Sequence, residues 1–207
     1  MTPTMAPAGP PAAPAPPAAD RPAGRKALPR RLAVAVRRLA PGWRQALPGA
    51  GVLGRRAAYA AFAAAAPRFP AGRPLELTLV LADDATLRRL NRAHRGVDKP
   101  TNVLSFAHPR NGPSLPPSAP MLLGDVVVAR ETMAAEAAGQ GKALADHFVH
   151  LTVHGVLHLL GYDHEKASDA EMMEGLEIVV LAGLGVGDPY RSGPYRSGPH
   201  GSKRGRR

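Results

Sequence analysis

The chain contains no cysteine, so it can form neither a disulfide framework nor a thiolate metal site. Its longest apolar run, residues 57–66, is far shorter than the roughly 20 residues that a membrane-spanning helix needs. The N-terminus also lacks a basic region followed by an apolar one, which is the pattern of an export signal. These absences predict a protein of the reducing cytoplasm that has no membrane partner.

Acidic residues are scarce at both ends of the chain. Residues 1–31 are rich in proline and alanine and contain one acid against five bases, and residues 191–207 contain six bases and no acid. The sequence Tyr-Arg-Ser-Gly-Pro also occurs twice in succession near the C-terminus. Such compositions bury too little apolar surface to fold. We therefore predict a disordered basic extension at 1–31, one folded domain at 32–189 and a disordered basic tail at 190–207.

The formal net charge of +11 is unevenly distributed within the predicted domain as well. Residues 32–130 contain fourteen bases against five acids, whereas residues 131–190 contain two bases against ten acids. A basic half beside an acidic half could attract a polyanion to one wall of a cleft, and basic tails add salt-sensitive affinity for nucleic acid. Genome base composition and solvated tails explain the same charges equally well, so charge alone leaves nucleic-acid binding open.

Hydrophobic patterning predicts an α+β domain. We expect strands at 31–39, 75–81, 102–106 and 121–129, and helices at 51–66, 131–139, 142–160 and 168–184. A further helix begins after Asp83 or Asp84, either of which can act as its N-cap. This order predicts a small mixed sheet of about four strands packed with helices. The helix at 142–160 has almost no polar face apart from its histidines, so we expect it to be the central, buried helix.

Three histidines on and after that helix have the spacing of a metal site. His154 and His158 are four residues apart, so they lie on one helix face. Gly161 follows the last apolar turn and predicts a left-handed C-cap, which would bring His164 back over the same face. Three neutral nitrogen ligands leave a fourth tetrahedral position for water, as in a catalytic zinc site.

Two alternatives accompany this interpretation. His147, His150 and His154 also fall within about 120° of one another around the helix, so they form a rival ligand set, with His150 otherwise a supporting or structural residue. The Gly161 turn favours the later trio. The motif also resembles the His-Glu-x-x-His-x-x-Gly-x-x-His of metalloproteases, in which the glutamate is the general base. Here Gly155 occupies that position, which makes peptide hydrolysis the less favoured reaction.

Residues 154–164 read His-Gly-Val-Leu-His-Leu-Leu-Gly-Tyr-Asp-His, which resembles the signature of the YbeY family of bacterial zinc-dependent endoribonucleases. Residues 90–106 (Leu-Asn-Arg-Ala-His-Arg-Gly-Val-Asp-Lys-Pro-Thr-Asn-Val-Leu-Ser-Phe) resemble a second hallmark of that family. Leu123, Gly124 and Asp125 resemble the strand that follows it. The resemblance covers about residues 75–190, and His94 departs from it because the family more often has tyrosine there.

The resemblance implies one zinc ion per chain, held by His154, His158 and His164. It implies a single-strand-specific endoribonuclease that acts in ribosomal RNA maturation, at the 16S 3′ end, and in ribosome quality control. The implied partners are ribosomal RNA precursors and proteins of the small ribosomal subunit. It also implies that Arg95 is required for activity on RNA, and we take Arg95 and His154 as the catalytic candidates.

The chemistry of the guanidinium group supports a catalytic role for Arg95 independently of the resemblance. A phosphodiester transition state gathers negative charge on its non-bridging oxygens, and a guanidinium that is always charged can hold them through two parallel hydrogen bonds. Arg95 taken alone also fits a solvated turn residue. The remaining RNA-binding candidates are the neighbouring bases, which together could follow a phosphate backbone but of which each, taken alone, is better explained as an ordinary surface residue: Arg88, Arg89, Arg92 and Lys99.

The residue that moves the proton is not evident from the sequence. Asp163 could orient a ligand histidine or simply form the turn after the helix, and Glu165 is a further candidate base. A function of another class therefore stays open, namely a non-catalytic ribosome-assembly factor with a structural zinc ion. A structural site predicts that histidine substitutions unfold the chain, whereas a catalytic site predicts folded, inactive variants.

Overall fold

The computed structural model describes residues 32–65, 73–109 and 119–191. Four strands lie in these ranges: β1 (Leu32–Arg38), β2 (Leu75–Ala82), β3 (Val103–Ala107) and β4 (Met121–Ala129). The helices there are α1 (Trp43–Ala46), α2 (Ala50–Ala65), α3 (Asp84–Arg95), α4 (Arg130–Gly139), α5 (Leu144–Leu159) and α6 (Ala167–Gly183). The extension at 1–31 and the tail from 192 onward, both predicted to be disordered, lie outside the described residues, so the predicted domain limits stay a prediction.

The strands form one mixed sheet in the order β1-β2-β4-β3. β1 and β4 both run parallel to β2, and β3 runs antiparallel to β4 at the other edge. The predicted α+β class and four-stranded mixed sheet are therefore confirmed. In strand β2, every second side chain from Leu75 to Leu81 is buried, as its alternating pattern indicated.

The two faces of the sheet are covered by different helices. Neighbouring residues of β4 point to opposite faces, so Val126 packs into the larger core with Phe148 of α5, while Val127 packs with Leu87 of α3. Helices α2 and α5 pack against each other over the larger core, and α6 packs on α5. Helix α5 is thus the central buried helix that its apolar composition predicted.

Helix α1 is an element that the sequence patterning did not predict, because four residues are too few to show a helical period. Its Trp43 is fully buried, and the indole Nε1 donates a hydrogen bond of 2.7 Å to the carbonyl of Ala82. The ring packs edge-on against Phe148 with 5.4 Å between centroids. Trp43 therefore connects the end of β2 with α5.

The ends of α3 and α5 follow the predicted capping chemistry. Asp83 is the N-cap of α3, and its carboxylate accepts the backbone N–H of Thr86 at 2.9 Å. After α5, Gly161 has a φ of +89°, its N–H donates to the carbonyl of His158, and the N–H of Tyr162 donates to that of Leu157. This pair of bonds is a Schellman motif, and it confirms the left-handed C-cap expected at Gly161.

Gly155 lies at a close contact between α5 and the sheet. A Cβ atom there would be 2.6 Å from Cγ1 of Val126 and 3.0 Å from Oγ of Ser105. The Ser105 hydroxyl donates a hydrogen bond of 3.0 Å to the carbonyl of Gly155. The absence of a side chain is therefore what allows α5 to rest on β3 and β4.

Across the described ranges, no helix has both the length and the apolar character required to cross a membrane.

We predict that Gly155→Ala destabilises the protein by about 1 to 3 kcal/mol, because the added methyl group overpacks the contact with Val126. Urea unfolding of the variant and the parent measures the difference. Gly175→Ala on the exposed face of α6 is the matched control, since a Cβ there meets nothing within 4 Å. That control is expected to be neutral or stabilising by up to about 1 kcal/mol, as alanine favours the helix. Equal destabilisation of both variants would contradict the packing explanation.

Candidate metal centre and its cleft

Three histidines meet where α5 ends. His154 and His158 lie on the last turns of α5, and the Gly161 cap returns the chain so that His164 lies beside them. Each offers a ring nitrogen, and the three nitrogens lie within 4.8 Å of one another. The ring centroids are 4.6 Å apart for His154 and His158, and 5.0 Å apart for His158 and His164. This group could hold a metal ion.

Hydrogen bonds at Nδ1 leave the Nε2 atoms of two histidines free of hydrogen. His158 Nδ1 is 3.1 Å from the carbonyl of Tyr162, and His154 Nδ1 is 2.8 Å from Oε1 of Glu177. Because a carbonyl and a carboxylate can only accept, both Nδ1 atoms must donate. In the neutral rings, each Nε2 then presents a lone pair.

The two Nε2 atoms face each other across 3.1 Å. With both lone pairs directed inward, this contact is repulsive unless a cation lies between them. Two ligand nitrogens at the usual zinc distance of about 2.1 Å, in tetrahedral geometry, would be about 3.4 Å apart. The donor set therefore fits a zinc ion in both chemistry and spacing.

The rival trio is not brought together in the same way. His147 Nε2 contacts Oε2 of Glu136 at 2.9 Å, and His150 Nε2 contacts Oε2 of Glu177 at 3.1 Å. The ring centroids of His147 and His150 are 6.1 Å apart. These two histidines pair with carboxylates, and the cluster of possible ligands among the described residues is His154, His158 and His164.

Burial is the main reason that the pKa of His158 lies below its ordinary value. The neighbouring His154 and His164 lower it further, because a second positive charge in the cluster is unfavourable. Neutral imidazole is the form that binds metal ions. The environment of His158 thus favours the protonation state that a ligand requires.

Glu177 is a buried carboxylate that sequence reasoning missed. Burial raises its pKa, but hydrogen bonds from His150, His154 and Tyr190 outweigh that effect and lower the pKa to about 2. Its side chain is fully buried. The available signal was an acidic residue inside the apolar run 176–181, since a buried charge needs partners.

The three histidines line a cleft of about 570 Å³. One wall is formed by the end of α3 and the start of β3, and the other by α5 and the loop after it. The lining residues are Arg95, Thr101, Asn102, Val103, Ser105, His154, His158, Gly161, Tyr162, Asp163, His164 and Glu165. The fold therefore brings Arg95 and the three histidines, which are distant in sequence, to one cavity.

The other four basic candidates do not line this cleft. Arg88 forms two hydrogen bonds of 2.8 Å with the carboxylate of Asp98, and Arg89 donates to the hydroxyl of Thr86. Arg92 and Lys99 are exposed on α3 and on the turn that follows it. All four are exposed close to Arg95 in sequence, and their contact with RNA stays a prediction.

Asn102 is a cleft residue that was not singled out from the sequence. Its amide nitrogen donates to Glu136, and its side-chain oxygen accepts the backbone N–H of Val103 at 2.7 Å. On the opposite wall, Asp163 accepts the backbone N–H of His164 at 2.8 Å. Of the two functions considered for Asp163, the turn-forming contact is therefore present. Glu165 lines the cleft beside it.

Comparison with known proteins identifies relatives over most of the described chain. A family model described as Endoribonuclease YbeY matches residues 55–185. A protein named Endoribonuclease YbeY from Paramagnetospirillum magneticum is 56% identical over 152 residues, covering 72% of this chain and 90% of that protein. Its namesake from Rhodospirillum rubrum is 53% identical, covering 72% of this chain and 76% of that protein. The solution structure of TM1509 from Thermotoga maritima is 18% identical with a TM-score of 0.48, covering 73% of this chain and 91% of that one.

The three histidines, which line the cleft and could hold a metal ion, define a broad class, that of proteins with a candidate metal centre in an open cleft. The matches to the family model and to relatives more than half identical are more specific. The chain belongs to the YbeY endoribonuclease family.

Below about pH 6.5, the pH dependence of stability is expected to include a contribution from His147. Burial, partly offset by the hydrogen bond to Glu136, lowers its pKa below the ordinary value of 6.5. Protons therefore bind more readily to His147 in the unfolded chain than in the folded one. The contribution of His147 to the free energy of unfolding is fully present above about pH 6.5 and is lost as the pH falls through the lower, folded-state pKa. Urea unfolding of the chelator-treated protein near pH 7.5 and near pH 5.5 measures the loss. His147→Gln should lose less stability over that interval, and an identical loss would exclude His147 as a cause.

Proposed function

We propose that this chain is a zinc-dependent endoribonuclease that cleaves single-stranded RNA in the maturation of ribosomal RNA. Its membership of the YbeY family and the names of its relatives support the endoribonuclease activity. The observation that carries the proposal is the pair of facing Nε2 atoms of His154 and His158, 3.1 Å apart, on a cleft that Arg95 also lines. That cleft combines a site for a cation with a site for a phosphate.

The residues of the cleft divide the chemistry among them. Zinc bound by the three histidines would supply a Lewis acid that polarises a phosphoryl oxygen. Arg95 holds the non-bridging oxygens of the scissile phosphate and stabilises the charge that gathers on them. Asp163 accepts the backbone N–H of His164 through one oxygen only, and both Asp163 and Glu165 line the cleft. Either carboxylate is therefore a candidate to move the proton.

The open geometry favours catalysis over a purely structural zinc site. Structural zinc sites are usually closed by four protein ligands. Here the group within the described residues has three histidines, and His164 is exposed to the cleft. The protease alternative is opposed by Gly155, because a glutamate there would have to occupy the space held by Val126 and Ser105.

The proposed partners are ribosomal RNA precursors and proteins of the small ribosomal subunit, and the proposed location is the cytoplasm. The family resemblance implies these partners, with 16S 3′-end maturation and ribosome quality control as the proposed processes. The exposed bases of α3 and the following turn are the proposed path of the RNA backbone: Arg88, Arg89, Arg92 and Lys99. Phosphate contacts of this kind would make binding sensitive to salt.

Removal of the metal is expected to abolish cleavage of a single-stranded RNA, and re-addition of zinc is expected to restore it. His158→Ala should remain folded but inactive, because it loses a ligand and creates no new buried charge. Gel-resolved cleavage measures the activity, and circular dichroism with a melting curve monitors the fold. Full cleavage by the chelated protein would contradict the proposal. An unfolded His158→Ala together with full unfolding on chelation would instead favour the structural-zinc alternative.

Replacement of Arg95 by alanine is expected to lower the cleavage rate at saturating RNA by roughly 10²- to 10³-fold, because the charge on the phosphate loses its donor. Arg56→Ala is the matched control, since Arg56 is an exposed arginine on α2 that does not line the cleft. Single-turnover kinetics separate the rate of cleavage from RNA affinity. If Arg95→Ala weakens RNA binding but leaves the cleavage rate at saturating RNA unchanged, Arg95 binds the RNA and takes no part in the reaction.

A further inference from the structure

Glu177 is fully buried on α6, where the neighbouring turns of the helix contribute Met173, Val180 and Leu181 to the core. An ionised carboxylate in such surroundings is costly unless hydrogen bonds compensate it. Three donors do so here, and they come from two elements outside α6: the helix α5 and the segment that follows α6. The cost of burying the Glu177 carboxylate is therefore offset by hydrogen bonds from two separate parts of the chain.

The two oxygens of Glu177 have different partners. Oε1 is 2.8 Å from Nδ1 of His154, while Oε2 accepts a hydrogen bond of 2.7 Å from the hydroxyl of Tyr190 and lies 3.1 Å from Nε2 of His150. His150 and Tyr190 thus anchor one oxygen, which fixes the direction in which the other oxygen points. The oxygen that remains is the acceptor for His154.

The contact determines which nitrogen of His154 carries the hydrogen. Since a carboxylate can only accept, Nδ1 donates and Nε2 keeps its lone pair, directed at Nε2 of His158. His158 has its own tautomer set by the backbone carbonyl of Tyr162. The tautomer of His154 depends on a side chain, and a substitution can therefore remove its control.

We propose that Glu177 is the positioning residue of the metal centre: anchored by His150 and Tyr190, it holds the His154 imidazole with Nε2 aimed at the ion, and its negative charge raises the basicity of that nitrogen. Carboxylates that accept from a ligand histidine orient the ring and increase its basicity. The inference rests on the proposed function, because it assumes that His154 is a metal ligand. It also explains why His150 lies in the same row of histidines without belonging to the ligand trio.

Glu177→Gln tests the proposal, because glutamine keeps the shape and can still accept from His154 through its oxygen, but has no charge. Its amide nitrogen can donate to Tyr190 and, after a change of tautomer, to His150. We expect a folded apoprotein whose zinc affinity is lower by roughly 10- to 100-fold. Competition with a chromophoric chelator measures the affinity, and circular dichroism and melting of the apoprotein measure the fold.

Glu136→Gln is the matched control. Glu136, on α4, accepts from His147 of α5 at 2.9 Å, so the substitution removes a carboxylate that also pairs with a histidine of α5 but lies away from the ligand trio. Its zinc affinity should equal that of the parent protein. A folded Glu177→Gln with parental zinc affinity would overturn the proposal, and so would an equal loss of affinity in Glu136→Gln.

Tyr190→Phe provides a second variant if Glu177→Gln does not fold. It removes one anchor of Oε2 while the carboxylate remains, so we expect a smaller loss of zinc affinity in a folded protein. Parental affinity in a folded Tyr190→Phe, combined with an unfolded Glu177→Gln, would make the carboxylate structural and overturn the proposal. Failure of the parent protein itself to bind zinc would refute the proposed function, an outcome distinct from either of these.

Discussion

The close contact between α5 and the sheet at Gly155 is the constraint on which the rest of the domain depends. With no side chain at that position, the helix backbone lies directly on Val126 and Ser105, and the serine hydroxyl binds the helix carbonyl. The contact brings the C-terminal turns of α5, which carry two of the candidate ligands, beside β3. Because β3 follows shortly after α3, the same contact brings Arg95 to the opposite wall of the cleft.

Burying α5 on several sides creates a second requirement, which is the pairing of its polar side chains. Four histidines lie on this helix, and the fold divides them by partner. His147 and His150 meet the carboxylates of Glu136 and Glu177, while His154 and His158 keep one nitrogen each for the candidate metal centre. Buried histidines without hydrogen-bond partners would destabilise the protein. The acids of α4 and α6 provide these partners, so they support the same helix that carries two of the candidate ligands.

These pairings change the meaning of the charge distribution. The acidic residues of the C-terminal half suggested a negative wall opposite a positive one, yet Glu136 and Glu177 accept hydrogen bonds from histidines and, in one case, from Asn102. On the basic side, Arg88 is bonded to Asp98. The local field at the cleft therefore depends on the few charged groups that line it, among them Arg95, Asp163 and Glu165, and less on the total of each half.

Local chemistry was sufficient for much of this protein. The alternating run of β2, the Asp83 cap and the glycine at 161 specify their elements because the physical preferences act within a few residues. The spacing of His154 and His158 places two nitrogens together because the helix period does so unaided. The role of Glu177, the burial of Trp43 and the reason for Gly155 were decided by tertiary structure alone. Each depends on groups from distant segments that meet only when the helices pack on the sheet, and no pattern within one segment records that meeting.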